Sequence, residues 1–118
     1  MISTALASRI LRAEFTDGPV WLALHAGDPD DGAPELAVGR QWAVFAEPVG
    51  RSVRLAERPV WDPMPAVTVT HWSAWDAATG GGLKWTGRFD EPVVVRAGEG
   101  FRMPPERTVL YFDVDTPA

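Results

Sequence analysis

The chain has no cysteine, so neither a disulfide nor a thiolate metal site can hold it together. It has no asparagine, and Lys84 is its single lysine against ten arginines, a skew of the kind a GC-rich genome produces. Only two histidines are present, His25 and His71. Positive charge is in deficit overall, with a formal net charge of −5. That argues against nucleic acid as a partner, because phosphate binding needs a basic face. No apolar run approaches membrane-spanning length, so no membrane partner is expected. Met1 to Leu6 lacks the basic stretch and long apolar run of a signal peptide.

At 118 residues the chain is expected to form one domain, large enough for a sheet-based core without staples. Six tryptophans are conspicuous at this length: Trp21, Trp42, Trp61, Trp72, Trp75 and Trp85. Each indole carries a large apolar area and one N–H that needs an acceptor when buried. Core packing accounts for most of them, and contacts to a partner for the rest.

The spacing predicts one short helix over 3–13. Leu6, Ile10 and Leu11 form its apolar stripe, Arg9 and Arg12 lie outside it, and Ser3 can cap its start. Leu6 and Ile10 are expected to dock it, because so short a helix is not stable alone. Thr16-Asp17-Gly18-Pro19 then turns the chain. The rest, 20–114, reads as β-structure, with candidate strands at 20–25, 39–46, 51–55, 58–61, 67–76, 83–88, 93–96, 101–103 and 108–114. Val20 to His25 is apolar on both faces, which suits a strand covered on both sides. In Val67 to Asp76, period-two alternation puts Trp72 and Trp75 on opposite faces. Ala77 to Gly82 then reads as a hairpin loop. The fold class expected is mainly β, an antiparallel β-sandwich or barrel-like domain with one short N-terminal helix.

Chemistry is hard to find in this pattern. Counted from Asp28 as a calcium loop, Asp30 fits the third position but Gly32 falls on the fifth, where an oxygen ligand is required. Asp-Pro and Asp-Asp-Gly are ordinary turn formers, so Asp28, Asp30 and Asp31 are expected in a solvated turn. The two histidines lack metal-site spacing. Ser73 lies two residues from His71, but no third member completes a catalytic set. Gly80-Gly81-Gly82 is followed by strand-like residues rather than the helix a phosphate loop needs. No cofactor is expected.

Two segments do carry a likeness. Trp21 to Pro29 has the form W-L-x-L-H-x-x-D-P, and Val69 to Leu83 reads V-T-H-W-x-x-W-D-A-x-T-G-G-x-L. With the short helix before them, they resemble a family of small virion proteins of tailed bacteriophages, often labelled minor tail or tail-fibre proteins. A shorter correspondence is Glu35 followed by Gly39-Arg40-Gln41. The resemblance implies a non-enzymatic structural protein on the phage particle surface, made in the host cytoplasm and present in many copies. Capsid decoration is the first expectation, bound to the major capsid protein; a minor tail or tail-fibre component is the alternative, bound to tail proteins. A host-glycan module using Trp61, Trp72 or Trp85 as stacking platforms is a further one. Interface centres favour Trp and Arg, so the contact candidates are Arg40, Trp42, Trp72, Lys84, Trp85 and Arg88.

Overall fold

The structure is a computed structural model that describes residues 3–57, 59–103 and 109–111. Helix α1 runs Thr4–Leu11, with the Ser3 hydroxyl accepting from Leu6 N, and passes into a π-helical turn over Arg12–Thr16. Nine strands follow among the described residues: β1 (Trp21–His25), β2 (Gln41–Trp42), β3 (Val44–Phe45), β4 (Ser52–Glu57), β5 (Val60–Trp61), β6 (Val67–Trp75), β7 (Leu83–Val95), β8 (Phe101–Arg102) and β9 (Val109–Tyr111). They form three sheets, ordered β2-β1-β6-β7, β3-β4-β9 and β5-β8, with every pairing antiparallel. The sheets do not close into a barrel.

The core lies where these sheets meet. Leu22, Leu24, Trp72 and Ala74 come from the four-stranded sheet, Phe45, Val53 and Leu55 from the second, and Trp61 and Phe101 from the third. The helix enters through Ala7 and Leu11, both fully buried, and Phe15 continues the same contact from the π-helical turn. The expected docking face is thereby corrected. Leu6 and Ile10 remain 37% and 38% exposed. The helix is rotated because Ser8 Oγ donates to Gly50 O at 2.8 Å and Thr16 Oγ1 to Ala46 O at 2.7 Å, which fixes the side facing β4.

Three strand expectations also change. The run 39–46 breaks at buried Ala43, whose N–H bonds Val20 O at 2.9 Å. Gln41–Trp42 then belongs to one sheet and Val44–Phe45 to another. The runs 83–88 and 93–96 are a single 13-residue strand, β7. Its pairing with β6 jumps from Val69↔Val93 to His71↔Arg88, so residues 89–92 bulge out. That bulge delivers Phe89 to Phe101 edge-on at 5.9 Å, and Phe101 in turn meets Trp61 at 5.9 Å. β7 is an edge strand, and the bulge with exposed Pro92 blunts it against sheet extension. Of the last predicted strand, 108–114, residues 109–111 pair with β4, and the remainder lies outside the described residues.

Candidate functional site

β1 is buried over Leu22 to His25, as an apolar pattern on both faces requires. One face meets the core. At its His25 end the other is covered by the loop over 26–40, which also pairs along the strand edge, Leu36 N bonding Leu24 O at 2.8 Å. His25 pins that loop. Its Nδ1 stands 3.1 Å from Ala33 O and 3.0 Å from Pro34 O, and its Nε2 lies 2.8 Å from Ser73 Oγ. Ser73 Oγ also accepts from Trp75 Nε1 at 2.7 Å. The carbonyls require a proton on Nδ1, which leaves Nε2 to accept the serine hydroxyl. The serine's partner is therefore His25 across the sheet rather than His71. His71 Nδ1 instead lies 2.8 Å from Thr70 Oγ1. Ser73 is fully buried and all three side chains are satisfied, so the trio is a structural clamp.

A second clamp is built on Arg40. Its Nε and Nη2 donate to the two Glu35 oxygens at 2.9 and 2.8 Å. Nη1 donates to Ala77 O and Gly80 O at 2.7 and 2.8 Å, and the guanidinium lies 4.1 Å over the Trp75 ring. The hydrogen bond from Arg40 holds the Glu35 carboxyl below its ordinary range, against the opposing effect of burial. Glu35 in turn raises Arg40. The loop before β2 is thus tied to the β6–β7 hairpin, where Gly80 and Gly81 take positive φ and Asp76 Oδ1 accepts from Gly82 N at 2.8 Å.

The acidic turn is a single 3-10 turn over Pro29–Asp31. Asp28 Oδ1 accepts from Asp30 N at 2.9 Å, and Gly32 closes the turn at φ 93°. Among the described residues no group of three or more metal-ligating side chains converges. No helix among them is long and apolar enough to cross a membrane.

The six contact candidates divide. Trp72 is 4% exposed and lies in the core, and Arg40 is half-buried, with its side chain engaged in the clamp. Trp72 lies over Gly87, whose missing side chain makes room for the indole. Lys84 Nζ is drawn to Glu14, bonding its backbone oxygen with its carboxylate 3.4 Å away. Trp85 is half-buried, edge-on to Phe15 at 5.9 Å. Arg88 is exposed, and Trp42 is 65% exposed. The stacking platforms expected at Trp61, Trp72 and Trp85 are likewise corrected, since Trp61 is 1% exposed and donates its N–H to Gly39 O at 2.9 Å.

Two of the apolar surfaces among the described residues bear on contact. One is a groove of about 390 Å³ between α1 and the start of β7, lined by Ile10, Phe15, Leu83 and Trp85 with Glu14 and Lys84 at its side. Leu83 is 52% exposed, and Leu6 lies one helical turn from Ile10. The other is a row of tryptophans across one sheet face. Registers Trp21↔Trp42 and Trp21↔Trp75 place the three indoles side by side. Trp21 and Trp42 stack 6.4 Å apart at 26°. The contact candidates Trp42, Lys84 and Trp85 lie on these two surfaces, but the groove's apolar wall was not legible in the sequence: Leu6 and Ile10 read as inward, and Leu83 as an ordinary strand residue.

No curated protein matches the chain. Residues 1–110 match the family model described as podophage GP4 fiber I protein gp80. That match spans nearly the whole sequence and both quoted segments, and it agrees with the likeness they carry to phage virion proteins. With the antiparallel sheets and single N-terminal helix, it shows that the chain belongs to the podophage fibre I protein family, Gp80.

Proposed function

We propose that the chain is a structural subunit of the fibre of a podophage particle, held to neighbouring tail or fibre proteins in repeated copies through the groove between α1 and β7. The observation that carries this reading is the family match over residues 1–110. The family's description names a fibre, which favours the fibre over the outer capsid as the place of attachment. The groove supports the contact. Ile10 and Leu83 line an apolar groove that the fold leaves in water, with exposed Leu6 one helical turn from Ile10, and such surfaces mark association sites. The reading is non-enzymatic, and the buried Ser73 oxygen, already accepting from Trp75 Nε1, is not placed as a nucleophile.

The test is immunogold labelling of intact particles, with add-back of purified protein to particles lacking it. Label on the tail, saturating at a multiple of the tail symmetry, is expected. Label on the head would move the chain to capsid decoration. Ile10→Asp and Leu83→Asp should each abolish add-back while leaving the melting temperature near that of the parent, since both side chains are partly exposed already.

A further inference from the structure

We infer that the groove between α1 and β7 receives residues 112–116 of a second copy of this chain, added to the edge of β7 as a further strand. The inference deepens the fibre reading and rests on it for the groove being a contact. β7 is last in the order β2-β1-β6-β7, so no strand among the described residues lies beyond it. The groove of about 390 Å³ lies against the start of this strand, with Ile10 and Phe15 on one wall and Leu83 and Trp85 on the other. A strand edge beside an apolar wall is the arrangement to which an extended segment adds: main-chain hydrogen bonds hold it, and pockets take its alternate side chains. The bulge over residues 89–92 ends the regular edge. Residues 83–88 remain, a length of about 20 Å, enough for a five-residue strand.

Charge and pattern select the occupant. Trp85 pairs with Ala74 and Arg88 with His71, so the pleat puts Trp85 on the core side of the sheet and Arg88 on the opposite face. Arg88 is exposed and has no hydrogen-bond or ion-pair partner among the described residues. The acids beside the groove are already engaged, Glu14 by Lys84 and Asp76 by Gly82 N. An added strand that fits is therefore apolar on one face and acidic on the other. Residues 112–115 read Phe-Asp-Val-Asp, so period two sets Phe112 and Val114 on one face and Asp113 and Asp115 on the other. This segment lies outside the described residues and follows Tyr111, which pairs with Ser52 on β9, the outer strand of its own sheet. Pairing β7 with β7 of a second copy fits less well, because the register covering 84–88 sets Lys84 against Arg88. Donor and acceptor are thus different surfaces, and repetition of such a contact gives an open row of copies unless its rotation closes a ring. An open row suits a fibre.

The test is sedimentation velocity of the purified full-length protein over a range of concentrations, with melting temperatures taken in parallel. The parent should form dimers and then longer species as concentration rises. Leu83→Asp spoils the acceptor and Phe112→Asp the donor, so each variant alone should stay monomeric. Mixed in equal amounts, they should form a dimer and nothing larger, since each mixed pair keeps one intact donor and one intact acceptor. Arg88→Asp should raise the association Kd about fivefold, and adding Asp113→Arg to the same chain should restore it. That exchange carries the test by itself if Phe112→Asp melts early. A parent that is monomeric at every concentration, or that stops at a dimer, overturns the inference. So does a mixture of the two variants that stays monomeric, or an Arg88→Asp defect that Asp113→Arg leaves unrepaired. If the parent is monomeric while Leu83→Asp still abolishes add-back to particles, this inference fails and the groove remains a contact to another virion protein.

Discussion

Gly87 faces Trp72 across β6 and β7, and the indole occupies the space where a side chain at 87 would begin. A Cβ there would stand 2.2 Å from Trp72 Cε2, 2.3 Å from Cζ2 and 2.5 Å from Nε1. Carbon atoms prefer about 3.5–4.0 Å, so the overlap exceeds an ångström at both ring carbons. Trp72 has no room to withdraw, being 4% exposed and part of the core cluster. Gly87→Ala should therefore cost about 1–3 kcal/mol as an overpacked site. Trp72→Ala should cost about 3–5 kcal/mol through the cavity it leaves. The informative protein is the double variant. Gly87 lies outside the left-handed region, so an alanine suits its backbone. Once the indole is gone, the same Gly87→Ala change should stabilise by about 0.4–1 kcal/mol, by restricting the unfolded chain. A coupling energy on the order of 2 kcal/mol follows, in the range for residues in contact. Urea denaturation of the four proteins measures it, with the m-value checked for constancy. Additive effects, or a Gly87→Ala protein that melts like the parent, would refute this account of the close approach.

Ser73→Ala should destabilise by about 1–3 kcal/mol, because it leaves Trp75 Nε1 and His25 Nε2 without their shared partner. Amide exchange at Leu36, bonded to Leu24 O, should quicken in that variant; unchanged exchange would show that His25 does not pin the loop. The Glu35 carboxyl is lowered in the folded protein, so its stabilising contribution is complete above its ordinary value of 4.5 and is lost as pH falls through the lower folded value. The parent's melting temperature should therefore fall more steeply than that of Glu35→Gln as pH drops below about 5, and parallel curves would falsify the assignment.

Local features of this chain were readable because they depend on near neighbours. Ser3 caps the helix, the glycine loop turns β6 into β7, and Asp28 builds its own turn, each through bonds within a few residues. Period two alone assigned Trp72 and Trp75 to opposite faces, one in the core and the other under Arg40. The two quoted segments carried the family, since they hold the strand and hairpin on which the largest sheet is built. Tertiary structure decided what depends on distant partners. Which side of an apolar-rich helix turns inward was set by hydrogen bonds from Ser8 and Thr16 to residues 50 and 46, so Leu6 and Ile10 became surface. Arg40 looked like a contact residue by composition, yet Glu35, Ala77 and Gly80 claim its donors. His25 and Ser73 are 48 residues apart and meet only because β1 pairs antiparallel with β6. Exposure of Trp42 follows from its place on an edge strand: sheet order, which no local pattern encodes, leaves no strand among the described residues beyond it.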